Sequence, residues 1–297
     1  SNLGDTQGAL ESYRKALALA EDVHRRLPGD ADAARSLAVV HEKLADVLAW
    51  TGELPAAGER AEQALALFRD LAARHPEDLR HQLSLAISLV KAGDLKGNPS
   101  FPNLGQPREA LESYRYAEAV LDHLAAAHPD DLAVRRYRGL TQERLGTVLL
   151  ATGDLDAAAA AFRESHAIRR ALATDLPGSS EAQRDVAVAL EKLGDVRLQG
   201  GEARQALAEL RRALEIFRAL AEADPQNASA RRSLAISHQK LARALEAAAQ
   251  PEAAEGELRS SRQILEELAA ADPHNAQLQQ ELAALVERLG DAPAPAG

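Results

Sequence analysis

Acidic and basic side chains recur along this chain in an order suited to reading charge on a partner. Glu42 and Asp46, Glu191 and Asp195, and Glu287 and Asp291 each lie four residues apart, with Glu143 and Asp94 as single members of the same series. On a helix, a four-residue step puts both carboxylates on one face. Two to three turns earlier stand Arg35, Arg136, Arg184 and Arg232. A guanidinium binds a carboxylate through two parallel hydrogen bonds. The two series would therefore form an acidic stripe beside a basic one, suited to a peptide or protein segment of mixed charge. The competing reading is internal. Lys43, Lys91, Arg144, Lys192, Lys240 and Arg288 keep the same rhythm and would pair with neighbouring acids along or between helices, adding a few tenths of a kcal/mol each.

Nothing in the sequence builds a reaction centre. No serine, histidine and acid constellation stands out, and with 45 acidic residues a close pair of carboxylates is no signal of acid–base chemistry. There is no glycine-rich phosphate loop, His-Arg-Asp loop or Asp-Phe-Gly motif. The nine histidines are scattered: His75 and His128 precede proline, His274 follows one, and His41 and His238 occupy equivalent places in different copies of a repeat, without a metal-like partner set. Cysteine is absent, which removes disulfides and thiolate zinc sites. No catalytic, cofactor-binding or metal residue is expected, and the chain reads as a binding protein, not an enzyme. Its net charge of −10 disfavours nucleic acid, whose phosphates require a basic face. No run approaches the length of a membrane span, and no secretory leader is visible, so a cytoplasmic location is expected. Only six of the 35 basic residues are lysine, a bias that points to a GC-rich bacterial genome.

The elements that carry these charges are set by a repeat. Pro28, Pro76, Pro129, Pro177, Pro225 and Pro273 are spaced 48, 53, 48, 48 and 48 residues apart, and Gly4, Gly52, Gly105, Gly153, Gly201 and Ala249 keep the same rhythm. Five residues after each ladder member comes an alanine (Ala9, Ala57, Ala110, Ala158, Ala206, Ala254). Seven before it comes another small residue: Ala45, Gly93 in the copy with an insertion, Gly146, Gly194 and Ala242, with Gly290 in the last copy. Small side chains at fixed places on two helices let backbones approach closely. Apolar residues recur at three- and four-residue steps, as in Ala206, Leu207, Leu210, Ala213, Leu214, Phe217 and Leu220, which is the helical period. Each unit thus holds two helices of about 20 residues, roughly 30 Å long. One is expected to start at Asp30, Asp78, Asp131, Ser179, Asn227 or Asn275, each an N-cap residue type. The fold class is all-α: about twelve helices in one right-handed superhelical solenoid of antiparallel pairs over 1–297, with units bounded near 28, 76, 129, 177, 225 and 273. Such stacks offer extended surfaces and favour binding.

The series Leu193, Gly194, Gly201, Ala206, Leu210, Ala213 and Pro225 resembles the tetratricopeptide repeat family, lengthened from its usual 34 residues by about two turns in each helix. The aromatic mark of that family is matched by Tyr13, Tyr114 and Phe162, but by Ala61, Leu210 and Leu258 elsewhere, and its early Trp or Tyr is missing. The resemblance implies a protein-interaction scaffold whose first-of-pair helices line a concave groove, with Arg35, Glu42, Asp46, Arg136, Glu143, Arg184, Glu191, Asp195 and Arg232 as groove candidates. The long repeats are also similar to C-terminal repeat regions of bacterial serine/threonine protein kinases, which implies a regulatory or oligomerising arm of a signalling enzyme as the alternative.

Three local features complete the reading. Residues 96–104, including Asn98-Pro99-Ser100-Phe101-Pro102, form an insertion that must leave helical geometry. Trp50, the one tryptophan, is expected to pack at a helix end. The register opens mid-unit, and Asn2-Leu3-Gly4 repeats Asn103-Leu104-Gly105. Similar sequence is therefore expected before residue 1, the helix over 6–27 is expected to expose an apolar face open to self-association, and the Ala/Pro-rich tail 291–297 is expected to fray.

Overall fold

The computed structural model describes residues 6–290; Gly4, the Asn2-Leu3-Gly4 copy, Asp291 and the 291–297 tail lie outside them. Twelve helices form among the described residues: α1 (Thr6–Arg26), α2 (Ala31–Trp50), α3 (Leu54–Arg74), α4 (Leu79–Gly97), α5 (Pro107–Ala127), α6 (Leu132–Ala151), α7 (Leu155–Asp175), α8 (Ser180–Gln199), α9 (Ala203–Ala223), α10 (Ala228–Ala247), α11 (Pro251–Ala271) and α12 (Ala276–Leu289). They pack as sequential antiparallel pairs and fall into two compact units, one ending at Ser165 and one beginning at His166. In the first, α2 pairs with α3 and α4 with α5, while α3 also packs on α4 and α5 on α6. In the second, α8 pairs with α9 and α10 with α11 in the same manner.

The prolines act through a turn. Asp30, Asp78, Asp131, Ser179, Asn227 and Asn275 each donate their N–H to the carbonyl three residues back, at 2.9–3.2 Å. Every repeat proline thus occupies the second position of a hydrogen-bonded turn, where its fixed φ suits it. Each of these six residues then caps the next helix through its side chain, accepting from Ala33, Arg80 and His81, Val134, Ala182, Ala230 and Leu278 in turn. Capping of this kind contributes about 1 kcal/mol per helix.

The glycine ladder serves a different purpose from the other small residues. Gly52, Gly105, Gly153 and Gly201 have φ of 72–87°, and Ala249 holds the same left-handed turn at 56°. The other ladder sets packing distance. Ala57, Ala110, Ala158 and Ala206 are fully buried, and a Cβ on Gly93, Gly146 or Gly194 would come within 2.6–2.7 Å of Tyr114, Phe162 or Leu210, respectively.

Helix α4 continues through Lys96 and Gly97, so the departure from helix begins at Asn98. The inserted loop then folds back on that last turn: Leu104 and Gln106 donate N–H to the carbonyls of Leu95 and Lys96, both at 2.8 Å. Leu104 also reaches α3, where a Cβ on Gly58 would sit 3.3 Å from its Cδ1.

Candidate protein-binding site

The charged series meets itself from one repeat to the next. In the first unit, Lys91 of α4 reaches back to α2, its Nζ 3.1 Å from Glu42 and 3.2 Å from Asp46. Arg144 of α6 reaches back to Asp94 of α4, its Nε at 3.2 Å, and also meets Glu143 at 3.0 Å. In the second unit, Lys240 of α10 bridges Glu191 at 3.2 Å and Asp195 at 2.7 Å on α8, and Arg288 of α12 reaches Glu246 of α10 at 2.7 Å. A cation of one repeat thus sits on acids of the repeat before it. Burial alone would lower the Lys91 and Lys240 pKa values, but their paired carboxylates more than offset it and raise them. Burial pushes Glu191 and Asp94 above the usual carboxylate range, against the pull of Lys240 and Arg144.

The arginines are placed differently from one another. Arg35 is half-buried on α2, whereas Arg136 and Arg184 are exposed. Arg232 is held by Glu281 of α12, with Nε 3.0 Å from Oε2. His41 and His238 are buried, the latter with Nδ1 2.6 Å from Glu257. Among the described residues, no group of three or more His, Asp or Glu is arranged to hold a metal, and no helix is long and apolar enough to cross a membrane.

Around the Lys91 and Arg144 stations the first unit forms a pocket of about 260 Å³. It is lined by Ala45, Ala61 and Leu95, by Trp50 and the inserted Phe101, and by Glu42 and Asp46 beside Lys91 and Arg144. Its size is below the roughly 300–1,000 Å³ of drug-sized sites. Trp50 is 68% exposed, a correction to the expectation of packing at the helix end. It closes α2 at the position equivalent to Asn98, the residue that follows α4 and is wholly buried. Phe101 is half-buried and covered by the Arg144 guanidinium, 4.8 Å from its ring centroid.

The loop that carries Phe101 is fixed by a buried polar cluster. Asn98 Nδ2 donates to Asp94 Oδ1 at 2.9 Å and to the Tyr114 hydroxyl at 3.0 Å, its Oδ1 accepts from the Ser100 N–H, and the Tyr114 hydroxyl donates to Asp94 at 2.7 Å. Reading the insertion as a surface loop identified Phe101 but not this cluster. The missed signals were Asn98, polar at the end of an apolar helix, and Ala61 in the place of an aromatic ring.

Residues 51–99 match the tetratricopeptide repeat family model. No curated protein matches the chain by sequence. Among solved structures, the chain is similar to BtubC (BKLC) from P. vanneervenii at 16% identity, covering 87% of this chain and 90% of that one, with a TM-score of 0.59. It is also similar to a Podosopora anserina putative kinesin light chain with nearly identical TPR-like repeats, at 21% identity over 76% of this chain and 93% of that one (TM-score 0.54). The apo form of RapI matches at 11% identity over 96% and 72%, respectively (TM-score 0.58). These likenesses are of fold alone, stacked antiparallel helix pairs like those of tetratricopeptide repeats, and the family model itself matches residues 51–99.

Proposed function

We propose that the chain is a protein-interaction scaffold that holds a peptide segment of a partner on the face formed by α2, α4 and α6 of its first unit. The observation that carries this reading is Trp50, exposed at the mouth of a pocket beside the inserted Phe101. Exposed tryptophans at pockets are the type of residue on which binding energy concentrates. Of the groove candidates, Glu42, Asp46 and Glu143 lie at this site or beside it, where they hold Lys91 and Arg144. Arg35 of α2 and Arg136 of α6 extend the proposed surface within this unit as carboxylate-binding groups, whereas Arg184 and Arg232 belong to the second unit.

Selection of peptides from a displayed random library on the intact protein tests this. Peptides so obtained are expected to lose about tenfold or more in affinity on Trp50→Ala, an exposed substitution that leaves the fold intact. Selected peptides indifferent to Trp50 would move the site elsewhere.

A second reading has its own observation. Helix α1 exposes Leu19 and Val23 at 69 and 45%, and Leu27 just after it is 52% exposed, although Leu71 and Leu124, the counterparts of Val23 in α3 and α5, are buried. Self-association through that face is the oligomerising alternative, and sedimentation of the parent against Leu19→Glu/Val23→Glu tests it. A regulatory role beside a bacterial serine/threonine kinase rests on the resemblance of the repeats alone.

A further inference from the structure

The repeat supplies its own template for what belongs in the pocket. Ala61 has as counterparts Tyr13, which is half-buried, and Tyr114, Phe162, Leu210 and Leu258, the last four buried in the core at 0–4% exposure. Ala61 is half-buried and forms part of the pocket's lining. The pocket is therefore next to a position where two other repeats place a tyrosine and three place another large side chain. Tyr114 lies against Gly93 and its hydroxyl donates to Asp94. The counterparts of Gly93 and Asp94 at the pocket are Ala45 and Asp46, and both line it.

Lys91 and Arg144 also line the pocket but are engaged with Glu42, Asp46, Asp94 and Glu143, and the Glu42 and Asp46 carboxylates are the acceptors it offers. Glu42 Oε1 is buried without a hydrogen-bond partner, a position that costs free energy until a donor arrives. The Asp46 side chain is 46% exposed although its Oδ2 holds Lys91. An apolar ring would fill the space among Ala45, Ala61, Leu95 and Trp50, and a hydroxyl on that ring would serve the carboxylate pair.

We infer that this pocket takes a tyrosine side chain of a partner peptide, the ring stacked beside Trp50 and the phenol donating to the Glu42–Asp46 carboxylates. The inference rests on reading the α2, α4 and α6 face as a binding surface and specifies the residue it selects. Alanine at position 61 leaves out a ring that the partner supplies in trans.

Trp50, the only tryptophan of the chain, reports the event directly. Short acetylated peptide amides identical except for a central Tyr, Phe or Ala are titrated into the intact protein while the Trp50 emission is followed. The Tyr peptide is expected to shift the emission saturably, about tenfold more tightly than the Phe peptide, as a hydrogen bond to a charged acceptor implies. The Ala peptide is expected to leave it unchanged. Ala61→Tyr, which fills the space from within, is expected to abolish the response, with thermal unfolding as its folding control. Asp46→Ala, at a half-exposed side chain, is expected to reduce the Tyr-over-Phe preference to about threefold or less.

Three outcomes overturn the inference: equal titration by Tyr and Phe peptides, a full response in Ala61→Tyr, or an emission change driven by protein concentration alone, which assigns the pocket to a second copy. Library peptides that need Trp50 but lack tyrosine would leave the scaffold reading standing and remove this one.

Discussion

A Cβ placed on Gly146 would lie 2.7 Å from the Phe162 ring, so the glycine and the ring occupy one site between α6 and α7. The same exclusion holds for Gly93 with Tyr114 and Gly194 with Leu210. Where the first position is alanine, its partner is Ala61, opposite Ala45, or Leu258, opposite Ala242. No described repeat sets an alanine against an aromatic ring. Gly→Ala in a helix ordinarily stabilises by up to about 1 kcal/mol, but overpacking costs about 1–3. Gly146→Ala is therefore expected to be net destabilising by about 1–2 kcal/mol. Gly194→Ala is expected to cost less, because the chain already tolerates Ala242 against Leu258. Urea midpoints rank the two, and Gly146→Ala/Phe162→Leu should recover part of the loss as a coupling energy. Equal costs for both alanines would break the link between glycine and ring.

The ion pairs between repeats make a separate claim. Lys240 sits between Glu191, which is 9% exposed at its side chain, and Asp195. Removing one partner of a buried pair leaves the other charge uncompensated. Lys240→Met is expected to cost about 2 kcal/mol at neutral pH, and adding Glu191→Leu to return most of it. The pH sign follows from Glu191, whose folded pKa is raised above its ordinary 4.5 by burial. A raised carboxylate favours the folded state below that value and loses the advantage as pH rises through the folded one. The deficit of Lys240→Met should therefore be smaller in the acid range than at neutral pH. A deficit independent of pH would show that the pair does not couple to Glu191.

Much of the architecture was legible because each mark is local and repeated. Asp30, Asp78, Asp131, Ser179, Asn227 and Asn275 cap helices through their own side chains, and a cap is decided within three residues of itself. The role of Gly52 and its counterparts was less plain, since a small residue in a ladder reads equally as close packing or as a left-handed turn. The site was hardest to read. Trp50 borders a pocket only because α4 and the insertion bring Leu95 and Phe101 to the same place, and Ala61 opens a space only in relation to Ala45 across the helix pair. Such relations are not contained in either segment alone.

The alkaline limb of stability is expected to depend on Tyr114. Burial first, and the Asp94 carboxylate beside it second, raise its pKa above the ordinary 10.0. A phenol with a raised folded pKa contributes stability that is present below 10.0 and is lost as pH rises toward the folded value. Lys91 and Lys240, also raised, lose theirs only above their ordinary 10.5. Tyr114→Phe is expected to cost about 1–2 kcal/mol at neutral pH through its lost hydrogen bonds. It should also delay the onset of alkaline loss. Urea midpoints measured from neutral to alkaline pH read both effects, and parallel curves for parent and variant would exclude Tyr114 as the titrating group.

Asn98 links the core of the first unit to its surface. Its side chain is wholly buried and joins Asp94, Tyr114 and the Ser100 N–H, so Asn98→Ala removes three hydrogen bonds at once and leaves Tyr114 and Asp94 with each other. A cost of about 1–3 kcal/mol is expected. The more informative consequence is local. Asn98 O also accepts from Phe101 N at 3.1 Å and from Asn103 Nδ2 at 3.0 Å, which holds the inserted loop and sets Phe101 against Arg144. Loss of the side-chain anchors should raise amide hydrogen exchange at 99–104 well beyond the change in helices α2 and α3, because loops open at lower free energy than the helices that carry them. The same variant should weaken any ligand that needs the Phe101 wall, while Ser84→Ala, at a solvent-facing side chain of α4, leaves both exchange and binding unchanged. Uniform acceleration across the first unit would mean that Asn98 supports its global stability and has no particular hold on the loop.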